Sequence, residues 1–307
     1  MKVTLIRTGG TIGCLKGDDG VIALSPATDI HLDGFDLDVQ TPFYELSERI
    51  GVSHYDKLVK AVLSAAADSE AIIITHGSDT LPYTASVLAF ALGKTNIPIV
   101  FVCSDKPLTE KDASGHRSLK TAAAFIKTRE SGVFVSDGND VHFGVRLLED
   151  RAFEERFFSA HDRICAHVDN MRVDIIEHIE SNEKYPPQTV LRPKKILYIK
   201  PHPQIDYAAY DLKGFDCILH DTYHSGTADE RKLNKFAESC RCPIYLVGGD
   251  GGRVYSSKAG FAKEICVIDN ITAAALYCKL LVGLNRFGTC EELNRYLYEK
   301  QCGEFLA

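Results

Sequence analysis

Short apolar, β-branched runs that alternate with helix-period segments constrain this chain more than any other feature. The runs "VTLI" (3–6), "AIIIT" (71–75), "IPIVFVC" (97–103) and "GVFVS" (132–136) are bounded by glycine, proline or polar residues. Between them stand "YDKLVKAVLSAAA" (55–67), "LPYTASVLAFALG" (81–93) and "HRSLKTAAAFIK" (116–127), whose apolar positions repeat at helical spacing. Such alternation gives βαβ units, and therefore a mainly parallel sheet covered on both faces. We read residues 1–180 as a larger, doubly wound N-terminal α/β domain. The stretch "IESNEKYPPQTVLRPKK" (179–195) carries three prolines and no periodicity, as a linker over 181–195 would. Alternation then resumes with "ILYIK" (196–200), "FDCILH" (215–220), "ADERKLNKFAESC" (228–240), "PIYLVGG" (243–249) and "TAAALYCKLLVGL" (272–284). A smaller C-terminal α/β domain over 196–307 is the expectation.

Composition removes several classes of function. The net charge of −7 leaves no basic stripe to neutralise phosphates, and "RPKK" (192–195) reads as a solvated linker end. No apolar run reaches the roughly 18 residues that suggest a membrane span. The opening "MKVTLIRTGG" enters the first strand at once, so no secretory leader is expected. The ten cysteines form no paired C-x-x-C set, and Cys240 with Cys242 is a lone C-x-C, a poor zinc site. Reduced, mostly buried thiols and a cytoplasmic location follow as expectations.

The chemistry is concentrated at two strand ends. After the first strand comes "TGGTIG" (8–13), in which Gly9, Gly10 and Gly13 lack the G-x-G-x-x-G spacing of a dinucleotide turn. No strand cleanly precedes the aspartates of "DIHLDGFDLD" (29–38) that a ribose would need. The alternative is a turn in which the glycines clear space so that Thr11 presents its hydroxyl beside free backbone amides, as an acyl-transfer nucleophile would. After "AIIIT" comes "HGSDTLPYTA" (76–85), with Gly77, Ser78 and Asp79 on a turn that feeds a helix. Ligands collect at the carboxyl ends of parallel strands, although Ser and Asp there also serve as helix caps and His76 as a packing residue.

Taken together, "TGGTIG" and "THGSDTLPYTA" resemble the motifs of the bacterial-type L-asparaginase family, and the likeness runs on through "PIVFVCSDKPL" (98–108), "ASGHRSLKTAAAF" (113–125) and "DNITAAAL" (269–276). The resemblance implies a larger N-terminal and a smaller C-terminal α/β domain, assembly as a homodimer or homotetramer, and no metal or organic cofactor. It implies Thr11 as the acylated nucleophile, Ser78 as a second catalytic hydroxyl, and Asp79 as the group that holds a substrate ammonium. Ser47 of "LSERI" aligns with the serine that receives the α-carboxylate. Gly10 and Gly77 border the substrate, and His224 and Ser225 of "HDTYHSGTAD" (220–229) stand where relatives line a neighbouring subunit's pocket. The resemblance places His220 and Asp221 of the same stretch there as well. His220 and His224 also have the H-x-x-x-H spacing of a metal pair, but lack an evident third ligand.

Two departures bear on activity. The family's loop tyrosine, about a dozen residues after the nucleophile, has no counterpart: no tyrosine precedes Tyr44, and the stretch reads "KGDDGVIALS" (16–25). The position of the family's catalytic lysine aligns with Glu149 in "HFGVRLLED" (142–150). Two carboxylates about 4 Å apart at an effective dielectric of about 20 repel by about 4 kcal/mol, roughly 3 pKa units, so Asp79 and Glu149 would not both stay ionised alone. They could share a proton and act as a general base, receive a cationic substrate head, or leave Glu149 neutralised by Arg146 with a weakened site. The expected function is an asparaginase-like amidohydrolase that acts on a small amino-acid amide. The alternative is a relative that binds an amino acid in a regulatory role.

Overall fold

The protein is described by a computed structural model covering residues 1–26, 30–148, 156–179, 184–252 and 254–306. The chain forms two compact units, Met1–Arg192 with Gln301–Gly303, and Pro193–Lys300 with Glu304–Ala307. The expected linker 181–195 overlaps residues 180–183, which lie outside the described residues.

In chain order the first unit comprises β1 (Lys2–Arg7), a hairpin of β2 (Cys14–Lys16) and β3 (Ile22–Leu24), β4 (Asp36–Gln40), α1 (Val52–Ala66), β5 (Ala71–Thr75), α2 (Leu81–Leu92), β6 (Pro98–Val102), α3 (Ser114–Phe125), β7 (Gly132–Asp137), β8 (Asp140–Phe143), β9 (Leu147–Leu148), β10 (Phe158–Ser159), β11 (Ala166–Asp169) and β12 (Arg172–Ile175). Eight of these strands make one sheet in the order β12-β11-β8-β7-β6-β5-β1-β4. The run from β4 to β7 is parallel, and β8, β11 and β12 continue it antiparallel. β5 is buried along its whole length, which is why "AIIIT" reads as a continuous apolar run rather than an alternation. α2 is buried almost all round, so its sequence lacks a polar stripe, whereas α1 buries only Tyr55, Leu58, Val59, Val62 and Ala65, one face of a helix.

Two features depart from the sequence reading. "DLDVQ" forms a strand, β4, that takes in the last aspartates of the 29–38 stretch and that the hydrophobic pattern did not announce. It is the edge strand, where charged side chains remain in water and blunt edge-to-edge association. The antiparallel extension β8-β11-β12 also went unrecognised, because its strands are only four residues long and lie largely at the surface towards β12.

The second unit has a four-stranded parallel sheet of β13 (Ile196–Ile199), β14 (Cys217–His220), β15 (Ile244–Val247) and β16 (Ile265–Ile268), in sequential order. It is accompanied by α4 (Glu230–Ser239), the short α5 (Ser256–Ala259), α6 (Ala273–Arg286) and α7 (Cys290–Tyr298). Asp229, Thr272 and Thr289 cap α4, α6 and α7 by accepting the backbone amides of Lys232, Ala275 and Glu292. None of the ten cysteines is in a disulfide. No helix among the described residues is long and apolar enough to cross a membrane.

Candidate active site

β1 and β5 are neighbours in the sheet, yet the chain leaves them in opposite directions. β1 leads through the hairpin to β4 on one side, and β5 leads through α2 to β6 on the other. Strand ends at such a switch point border a crevice that α/β sheets use for ligands. Here the turn after β1 meets the turn after β5. Gly10 has φ 75° and ψ 178°, a conformation open essentially to glycine alone. A Cβ on it would overlap Gly77 N and Cα and lie 2.7 Å from the His76 carbonyl carbon. A Cβ on Gly77 would in turn lie 2.7 Å from Ser47 Cβ. Glycines at both positions let two backbones touch, and the residues that follow them are Thr11 and Ser78.

The segment after β4 ties the site together. Glu45 N donates to Thr8 O at 2.9 Å, and its carbonyl accepts Gly10 N at 3.1 Å. Ser47, which opens a short 3-10 turn, donates its hydroxyl to Asp79 Oδ2 at 2.9 Å. Thr80 Oγ1 donates to Ser47 O at 3.0 Å. The structure therefore brings Gly10, Ser47, Gly77 and Asp79 into one cluster, with Thr11 and Ser78 on its two turns. Thr11 and Ser78 are half-buried and their hydroxyls have no hydrogen-bond partner among the described residues, while those of Thr8, Ser47 and Thr80 are engaged. The backbone amides of Thr11, Ile12, Gly77, Ser78 and Asp79 likewise lack an acceptor among the described residues. Those of Thr11 and Ile12 open a 3-10 turn, where first-turn amides have no partner of their own. Unspent hydroxyls beside unspent amides can form an ester and hold an oxyanion.

Beneath the second turn, His76 is fully buried, donates from Nδ1 to the Gly77 carbonyl at 2.7 Å and meets Phe101 edge-on at 5.8 Å. Burial pushes its pKa down to about 4, so it stays neutral and acts as a brace for the turn. His142, buried and paired through Nδ1 with Ser159 Oγ at 2.8 Å, is pushed down to about 4 for the same reason. Both groups take up protons in the unfolded chain at about 6.5 but not in the folded one. Stability is thus complete above that pH and falls as pH drops towards 4, by about 3 kcal/mol for each histidine. The thermal midpoint should decline steadily between pH 6.5 and 4.5, and His142→Gln should flatten that decline. An unchanged slope in the variant would contradict this assignment.

Other candidates from the sequence stand elsewhere. His220 is buried in β14, with Nδ1 2.5 Å from the Asp221 carbonyl and Nε2 2.8 Å from Tyr207 Oη. Both nitrogens are engaged inside the second unit, which leaves His220 none for a ligand. Asp221 is bonded to Tyr198 Oη and to Thr222 N. His224 and Ser225 lie on a loop of that unit: His224 is exposed, and Ser225 Oγ pairs with Thr227 Oγ1 at 2.8 Å. Glu149 lies outside the described residues. Arg146, one suggested counter-ion for it, is buried with Nε on Gly303 O at 2.6 Å and Nη1 on Glu177 at 2.8 Å. Despite partial burial, Glu177 is held below the usual carboxylate range by Arg146 and Arg163. Arg146 is therefore engaged with Glu177 and the Gly303 carbonyl.

The family model described as "Asparaginase, N-terminal" matches residues 2–180, which carry every one of these site features in the first unit. The chain belongs to the asparaginase family. An L-asparaginase of Thermococcus kodakarensis is 32% identical over 154 residues, 48% of this chain and 47% of that protein. A glutamyl-tRNA(Gln) amidotransferase subunit of Thermoplasma acidophilum is 27% identical over 143 residues, 44% of this chain and 35% of that one. In these matches the asparaginase-family chain spans about half or less of the relatives' length. The solved structure of the thermostable Thermococcus kodakarensis L-asparaginase superposes with a TM-score of 0.87 at 24% identity, covering 100% of both chains. That likeness shows the fold, two α/β units with a larger N-terminal sheet. Sequence reasoning missed Tyr44 and Arg7 around the first turn. The only trace of them was the unexplained third glycine, Gly13.

Proposed function

We propose that this protein hydrolyses the side-chain amide of a small amino acid, L-asparagine or a related compound, with Thr11 as nucleophile. The observation that carries this reading is the meeting of the Gly10 and Gly77 turns, with two unengaged hydroxyls and unspent amides beside the Ser47–Asp79 pair. Thr11 Oγ1 attacks the amide carbonyl carbon and its proton passes towards Ser78 and a carboxylate, for which Asp79 and Glu149 are the candidates. The free amides hold the oxyanion of the tetrahedral intermediate. The C–N bond breaks, nitrogen leaves as ammonia after gaining a proton, and water then cleaves the Thr11 ester to release the acid. Asp79 receives the substrate ammonium and Ser47 its carboxylate, bordered by Gly10 and Gly77. Neither a metal nor an organic cofactor takes part in this scheme. A homodimer or homotetramer in the cytoplasm is the state we infer, with His224 and Ser225 contributed by a partner subunit.

The test is ammonia release by the purified chain with millimolar L-asparagine, L-glutamine and a panel of N-substituted asparagines bearing a cationic group. We expect release from at least one; silence across the panel would end the enzymatic reading. A second reading is favoured by the relative named as an amidotransferase subunit. In it the freed ammonia passes to a second polypeptide, and release by the isolated chain would be slow and would rise when that polypeptide is added.

A further inference from the structure

Tyr44 is absent from the scheme above, yet its side chain reaches the loop that carries Thr11. Its hydroxyl lies 2.7 Å from Gly13 O, where the 3-10 turn Thr11–Gly13 ends, and 3.0 Å from Ser25 O, where the β2–β3 hairpin closes. With one proton, the phenol donates to one of these carbonyls at a time, and the Gly13 bond is the shorter. Ser25 N also donates to Gly13 O, at 3.0 Å, so the two ends of the hairpin meet under the tyrosine. From the other side Arg7 donates to Tyr44 Oη and to Pro26 O, each at 3.1 Å, and its guanidinium lies 5.2 Å from the ring centroid. The phenol is thereby fixed as an acceptor for Arg7 and a donor to the loop. The next residue, Glu45, is stitched by its backbone to Thr8 and Gly10, and Ser47 holds Asp79. One short strap thus touches the chain before Thr11, the chain after it and the acid.

Gly13 has the same explanation. A Cβ there would sit 2.9 Å from Tyr44 Cζ and closer still to the hydroxyl, so the glycine makes room for the phenol. It is not one of the residues with positive φ, and backbone conformation alone does not require glycine at this position.

We infer that Tyr44 is a positioning residue: its hydroxyl, braced by Arg7, clamps the base of the hairpin and sets the orientation of Thr11 for attack. The inference rests on Thr11 being the nucleophile. Misplacing a reacting group by about 1 Å can cost on the order of 100-fold in rate without removing any group that binds substrate. The kinetic signature is accordingly a fall in kcat, not a rise in KM.

The test compares wild type with Tyr44→Phe by steady-state kinetics on whichever amide the wild type turns over, and by amide hydrogen exchange over residues 12–25. We expect kcat to fall at least tenfold, KM to stay within threefold, and exchange of the hairpin amides to speed up at least tenfold. Gly13→Ala should give the same pattern, and the double variant should be no worse than the poorer single one. Unchanged exchange in Tyr44→Phe overturns the clamp. Faster exchange with unchanged kcat overturns the link to Thr11. A wild type inactive on the whole panel defeats the proposed nucleophile and with it that link, while the exchange comparison still decides the clamp.

Discussion

Thr11→Ala is expected to lower the rate of ammonia release about a thousandfold or more, a barrier increase of about 4 kcal/mol, while leaving the thermal midpoint nearly unchanged. The two halves of this expectation have different sources. Loss of a covalent nucleophile removes the route through an ester and leaves only what the oxyanion amides and substrate binding supply. Stability is spared because the Thr11 hydroxyl has no hydrogen-bond partner among the described residues and the residue is only half-buried. Such a substitution ordinarily shifts stability by no more than about 0.5 kcal/mol. Thr11→Ser keeps the hydroxyl and should retain more activity than the alanine variant. Retention of a tenth of wild-type turnover by Thr11→Ala would remove Thr11 from the reaction. Undiminished binding of aspartate by that variant, in a protein with no turnover on any amide, would instead favour a regulatory binder.

Gly10→Ala should injure both fold and site. Alanine at φ 75°, ψ 178° lies in a region that costs of order 1–3 kcal/mol for a residue with a side chain. The added methyl also overlaps Gly77 and crowds the His76 carbonyl, which are backbone atoms anchored at the end of a fully buried strand. Overpacking of this kind costs about another 1–3 kcal/mol. At roughly 2–4 °C per kcal/mol for a unit of this size, the midpoint should drop by about 10 °C. Relief of the clash moves the Gly10 turn off the Gly77 turn, so turnover should vanish even in the fraction that stays folded. Differential scanning calorimetry with the ammonia assay on the same sample reads both effects. A variant with wild-type midpoint and turnover would show that the two turns do not touch as described.

The paired predictions separate the proposed reacting residue from one that makes space. Thr11 is expected to be expendable to the fold and Gly10 is not, although they are adjacent in "TGGTIG". A histidine contributes a third kind of role. His76 is buried without a partner for Nε2 among the described residues, and its neutral ring supports the Gly77 carbonyl that the second turn needs.

How much of this was legible beforehand depended on the range of the interactions involved. Strand and helix alternation is a local pattern, so β1, β5, β6, β7 and the helices among them could be read from hydrophobic periodicity, and the parallel sheet from their order. The edge strand β4 escaped because water, not a core, faces much of its surface. The two motifs were visible because the glycines required by close backbone approach leave a mark in sequence. Tyr44 left only the glycine at position 13, which does not name its partner: a tyrosine 31 residues away meets Gly13 only when β4 returns the chain alongside β1. Lys279 tells the same story in the second unit. It stands in "TAAALYCKLLVGL" and is fully buried, held by the carbonyls of Leu297 and Glu299 and the Glu304 carboxylate. A buried charge needs acceptors that arrive from distant segments, and no local pattern announces them.

By itself, then, the sequence determined the α/β class, the sites of the two glycine turns and the family, because each depends on residues close together in the chain. The tertiary structure alone decided that Gly10 lies against Gly77, that Ser47 serves Asp79, that His220 is spent in a core and that Tyr44 closes the hairpin. Those are contacts between residues tens of positions apart, and only the packed sheet sets their distances.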